Sequence, residues 1–170
     1  MNPIETDGLI LDIGGGGEGI IGKLNGKQVI SIDVSRKELE ETPNEALKIV
    51  MDATDLKFLS ESFDVCTAFF TLMYIPKNQH LKVFKEVHRV LKNSGRFLIW
   101  DVKIRERNKQ YSVFMVPLRV KLSSEDIETG YGVKSKTEDI GYFKELAQKT
   151  KFRIAKEWSK NDIFHLELSK

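Results

Sequence analysis

Cysteine is all but missing from this chain, with Cys66 the only one in 170 residues. No internal disulfide framework is possible, so the fold has to rest on a packed core, and the usage fits a reducing compartment. Long apolar runs are missing too. No stretch approaches the roughly 18 apolar residues of a membrane span, and the apolar segment at residues 9–13 is far too short for a signal-peptide core. A cytoplasmic location is the expectation. The three histidines, His80, His88 and His165, have no metal-ligand spacing, and no metal site is expected. Charge of one sign is also scarce: 27 Lys and Arg against 25 Asp and Glu leave a net charge of +2. The lysines are scattered, as on a solvated surface rather than a phosphate track, so nucleic acid is an unlikely partner. Repeats, low-complexity segments and linkers are absent, and residues 1–170 are expected to form a single domain.

What is present is an alternation of apolar runs with helical patterns. Strands are expected at 9–13, 28–32, 46–50, 63–70 and 96–102, nearly continuous in apolar residues as in strands buried on both faces. A helix is expected at 78–92, with Leu81, Phe84, His88 and Leu91 at helical spacing and Val83, Val87 and Val90 widening the stripe, stopped by Asn93, Ser94 and Gly95. His88 then reads as a core histidine, and Cys66 in mid-strand as a small buried hydrophobe. A second helix is expected at 136–149, with Ser135 and Glu138 as a capping box. Two further strands, 152–158 and 163–168, are joined by a short turn, which predicts a terminal antiparallel hairpin. The fold class is therefore α/β: a Rossmann-like three-layer sandwich, its sheet mostly parallel with a C-terminal antiparallel hairpin strand.

The chemistry gathers around Leu9-Ile10-Leu11-Asp12-Ile13-Gly14-Gly15-Gly16-Gly17-Glu18-Gly19. This is a buried strand running into a loop without side chains, followed by a short helix bearing Ile20, Ile21 and Leu24. Glycines let such a backbone reach left-handed conformations and approach a ligand closely. The next strand ends in Asp33, about twenty positions on, where a carboxylate meets both ribose hydroxyls of an adenosine cofactor. Gly14, Gly16 and Gly19 also match the dinucleotide fingerprint. Asp12, two residues before the first glycine, separates the two cofactors: its charge opposes a pyrophosphate and suits the ammonium of a methionine moiety, and Glu18 argues the same way. S-adenosylmethionine is favoured over a dinucleotide.

From Leu9 to about Val102 the chain resembles the class I S-adenosylmethionine-dependent methyltransferases, in particular the ubiquinone/menaquinone-biosynthesis-type (type 11) branch. The likeness is carried by ILDIGGGG (10–17), VISIDVS (29–35), MDATDLKF (51–58), FDVCTAFFTLMYI (63–75) and EVHRVLKNSGRFLIWD (86–101), in the right order over more than half of the chain. It implies that Asp12 and the backbone of Gly14, Gly15 and Gly16 hold the methionine end of the cofactor. Asp33 would take the ribose, with Val34 against the adenine. Asp52 would accept from the adenine amino group, Ala53 would offer a backbone N–H, and Phe69 and Phe70 would flank the methyl donor. The chain departs from the family pattern at Glu18, which stands where a third glycine is usual, at Lys92-Asn93-Ser94-Gly95 in place of Lys-Pro-Gly-Gly, and at Met73 or Tyr74 in place of a frequent histidine.

Methyl transfer from a sulfonium is a displacement in which the protein mainly aligns donor and acceptor. No catalytic residue is therefore assigned. Asp101 is the best-placed base candidate, with a capping carboxylate the commoner role at such a position. The segment after residue 70 has no Asn/Asp-Pro-Pro-Tyr run, which speaks against amino-methylation of DNA bases. Residues 103–134 break the alternation. Phe114, Val116, Leu118, Val120 and Leu122 form a period-two strand pattern, and Gly130-Tyr131-Gly132 reads as a turn. An apolar insertion of this length is expected to serve as a lid or substrate surface, or as an interface to a second copy, with Tyr111, Phe114, Met115 and Tyr131 in contact. Two functions follow: a methyltransferase for a small-molecule acceptor, or a cofactor-binding sensor or partner-dependent subunit. The second is suggested by the lack of a helix ahead of the first strand to cover the pocket and by a lack of obvious acid–base groups.

Overall fold

The computed structural model describes residues 1–102, 113–134 and 139–170, and for 113, 114, 133 and 134 the backbone only. Tyr111, Ser135 and Glu138, and the side chain of Phe114, lie outside the described set. Strands β1 (Ile10–Ile13), β2 (Val29–Asp33), β3 (Leu47–Val50), β4 (Phe63–Phe69) and β5 (Leu91–Val102) pair parallel with one another. A ribbon of β6 (Val113–Lys121) and β7 (Asp126–Lys134) follows, and then β8 (Arg153–Lys160) and β9 (Ile163–Ser169). The main sheet runs β3-β2-β1-β4-β5-β9-β8, with β9 antiparallel to both its neighbours. This bears out the mostly parallel α/β sheet with its terminal hairpin. The chain leaves β1 in one direction to β2 and β3 and returns to the other side for β4 and β5. The switch opens a crevice beyond the carboxyl ends of β1 and β4, the place where such sheets bind ligands.

The helices are α1 (Ile20–Asn25), α2 (Arg36–Glu41), α3 (Lys77–Val90) and α4 (Ile140–Lys149). On one face of the sheet Val83, Phe84, Val87, Phe143 and Leu146 pack against Leu11, Cys66, Phe97, Ile99 and Leu166. On the other, Ile21 of α1 meets Ile10, Val29, Val65 and Leu98, with Met1 and Ile4 against them. Cys66 is fully buried, which pushes its thiol well up and leaves it unreactive.

Several local expectations are corrected. Helix α3 stops at Val90, where Leu91 is already extended and begins β5. Its buried face turns on His80, Val83, Phe84, Val87 and Val90, while Leu81 is exposed. The core histidine is thus His80, whose ring nitrogens meet Tyr142 Oη at 3.1 Å and the Leu72 and Ile75 carbonyls at 3.0 Å. His88 is only half-buried, against the edge of Phe152. The described N-cap of α4 is Asp139, which accepts from the Tyr142 N–H at 3.0 Å. Gly130, Tyr131 and Gly132 are not a turn. They lie inside β7, paired with Pro117, Val116 and Met115, and the chain reverses at Leu122, whose N–H donates to Glu125. No described helix is long and apolar enough to cross a membrane.

Candidate functional site

The glycine loop is drawn across the end of β2. The N–H groups of Gly14 and Gly15 both donate to the Ile32 carbonyl, at 2.8 and 3.0 Å. Gly14 takes φ +70°, and a Cβ there would lie 2.3 Å from Thr71 Oγ1. A Cβ on Gly16 would lie 2.6 Å from Glu38 Cβ and 3.0 Å from Asp33 Oδ2. The loop is therefore glycine for steric reasons, and the bare backbone faces the crevice.

Asp12 is 2% exposed at the head of this loop. Thr67 donates to its Oδ1 at 2.7 Å. Burial pushes its carboxyl up to about 7; the Thr67 hydrogen bond opposes this and the charge of Asp33 adds to it. Ser31 is its partner in the β1–β2 register, and the Ser31 hydroxyl is buried with no hydrogen-bond partner among the described residues. Asp33, at the end of β2, fixes one oxygen on the Ser35 N–H at 2.8 Å and turns the other toward Gly16. Val34 beside it is 71% exposed. Asp52 accepts from the Thr54 N–H at 2.7 Å, and Ala53 is buried next to it. Phe69 and Phe70 meet edge to face at 4.9 Å, with Phe70 at φ +52° and its N–H held by the Trp100 carbonyl.

All of these residues line one cleft of about 550 Å³: Asp12, Gly14, Gly15, Gly16, Asp33, Val34, Asp52, Ala53, Phe69 and Phe70. Five acidic residues line it, Asp12, Glu18, Asp33, Glu38 and Asp52, and its described lining contains no Lys, Arg or His. A pyrophosphate would meet acidic side chains there and no described cation, whereas a positively charged ligand is favoured. Asp101 is not in the lining. It is buried and accepts the Met73 N–H at 3.1 Å, which is the capping role.

The ribbon supplies a wall that sequence reasoning assigned only in part. Tyr131 stacks on Phe70 with ring centres 5.1 Å apart and planes 8° from parallel. Its hydroxyl donates to Glu18 Oε2 at 3.2 Å, and Thr129 donates to the other oxygen. Val116 and Leu118 pack over Phe70, Met73 and Val102. The ribbon therefore sits on the glycine-loop side, and Gly130 and Tyr131 line the cleft. Met115 is 67% exposed on the ribbon's outer side. Thr71 and Gln79, which were not singled out from the sequence, also line the cleft, as does Tyr74, one of the two positions where the family often has histidine. The alternation of Asp12 with its strand neighbours could have flagged Ser31 and Thr67, since paired strands place them on one face.

A methyltransferase-domain family profile matches residues 11–99, and the chain belongs to that family, type 11. A 27-O-demethylrifamycin SV methyltransferase of Amycolatopsis mediterranei is 32% identical over 113 residues, covering 59% of this chain and 41% of that one. The chain spans less than half the length of the curated relatives it matches. Among solved structures, a Pyrococcus horikoshii protein superposes with a TM-score of 0.73 at 22% identity, over 96% of this chain and 82% of that one. An S-adenosylmethionine-dependent methyltransferase of Methanosarcina mazei gives 0.71 at 20% identity, over 99% and 94%. S-adenosylmethionine is the cofactor that goes with this family.

Proposed function

We propose that this chain transfers the methyl group of S-adenosylmethionine to a small-molecule acceptor held in the acid-lined cleft. The observation that carries the reading is the described cleft lining: five acidic residues, no Lys, Arg or His among the described residues, and a loop whose glycines leave room for a ligand. The residues fit the cofactor. Asp12, with the orphaned Ser31 hydroxyl beside it, suits an ammonium; Asp33, aimed at Gly16, suits the ribose; Asp52, Ala53 and Val34 suit the adenine. When bound, the cofactor supplies an electrophilic methyl carbon on a cationic sulfur. Phe69 and Phe70 would then exclude water beside that carbon, with Tyr131, stacked on Phe70, extending the same wall. The Amycolatopsis relative is named for a small-molecule acceptor, which supports the same class here.

The sensor reading rested on a missing cover and on a lack of acid–base groups; the ribbon wall weakens the first ground and leaves the second standing. A cytoplasmic location remains part of the proposal, resting on the lone buried Cys66 thiol. The test is incubation with labelled S-adenosylmethionine and pools of small-molecule acceptors, beside Asp33→Ala. Label should pass to an organic-soluble product with the natural chain and fall by at least about tenfold with the variant. Cofactor binding without any transfer would instead favour the sensor.

A further inference from the structure

We propose that the acceptor is a ring-bearing small molecule without negative charge that donates a hydrogen bond to Glu18 and lies against Tyr131. This rests on the cofactor reading, which draws on Asp12, Asp33 and Asp52 and leaves Glu18 unassigned. Glu18 stands at the far end of the glycine loop, where the cofactor cradle meets the ribbon. Its two hydrogen-bonding partners, Thr129 and Tyr131, both come from β7, outside the residues shared with the family profile. This corner, where the glycine loop meets the ribbon, is a suitable place for acceptor selection. A carboxylate has about four acceptor positions, so the two hydroxyls leave capacity for a ligand's N–H or O–H.

The surroundings narrow the ligand further. Tyr131 is held flat by its stack on Phe70, and Ile75 and Pro76 continue the apolar lining with Gln79 the nearby neutral polar group. Burial and the neighbouring Glu18 hold the Tyr131 phenol far above its ordinary range, so it stays a donor toward Glu18. A carboxylate, phosphate or sulfate on the acceptor would enter beside Glu18, with no Lys, Arg or His among the described lining residues to pair it. An amine or phenol meets no such obstacle.

The test uses three probes that share one phenol ring and differ in charge: 4-ethylphenol, tyramine and 3-(4-hydroxyphenyl)propionate. Each is titrated at low ionic strength into protein already saturated with S-adenosylhomocysteine. Tyramine should bind at least about tenfold more tightly than the propionate, with the neutral phenol between them. In Glu18→Gln that ratio should shrink to within about threefold while S-adenosylhomocysteine affinity holds. Tyr131→Phe, which keeps the ring, should preserve the ratio, and it provides the comparison if Glu18→Gln folds poorly. The proposal is overturned if the propionate binds as well as tyramine, if the ratio survives Glu18→Gln, or if no probe binds the loaded protein. Failure of S-adenosylhomocysteine itself to bind is seen before any probe is added, and it contradicts the cofactor reading instead.

Discussion

Burial pushes the Asp12 carboxyl from an ordinary 3.8 up to about 7, so the free protein holds this group protonated under conditions where an unfolded chain does not. Its contribution to stability is complete below about pH 4 and is lost as pH rises toward 7, because across that window only the folded state keeps the proton. Above about 7 both states are ionised and the contribution is flat. Asp12→Asn should remove this fall, measured as urea midpoints at pH 5 and pH 7.5. A cation in the cleft reverses the preference. Cofactor binding at pH 6 should therefore release a proton, visible in calorimetry as a dependence on the buffer's ionisation enthalpy, and Asp12→Asn should abolish it. The position of Asp12 was legible from its spacing to Gly14. Its environment was not, because Thr67 and Ser31 reach it from neighbouring strands.

Among the elements, α4 and the ribbon make separate predictions. Asp139→Ala removes the described cap of α4 and should cost about 1 kcal/mol, a fall in Tm of about 2–4 °C. Phe84 of α3 is fully buried against Phe97, Phe143 and Phe152, and Phe84→Ala should cost about 3–5 kcal/mol by chemical denaturation. Tyr131→Ala should instead leave the core intact, lowering methyl transfer by at least about tenfold while changing cofactor affinity far less. The parallel strands were legible because each is a continuous apolar run. The face of α3 was misjudged because His80 is buried through bonds to carbonyls and Tyr142, a satisfaction that periodicity does not reveal. Gly130 and Gly132 resembled a turn because glycine is the local punctuator, and only pairing with β6, a long-range contact, makes them strand. Helix α2 was overlooked although Ser35 and Glu38 mark its start, with the Ser35 side chain accepting from the Glu38 N–H.

For the whole molecule, charge is segregated in a way that composition conceals. The chain is slightly basic overall, yet the charged residues among the described lining of the cleft at the switch point are all acidic. Fold class and the run of residues that line the cleft could be read from the order of motifs. The distribution of charge around the cleft needed the loop, β2, α2 and β7 brought together in space. That distribution underlies the central claim and exposes it to a direct measurement: calorimetric titration of the whole chain with S-adenosylmethionine and, separately, with NAD, under identical buffer and salt. S-adenosylmethionine should saturate a single site and NAD should give no binding heat. Binding of NAD with equal or higher affinity, or no binding of S-adenosylmethionine, would contradict the account.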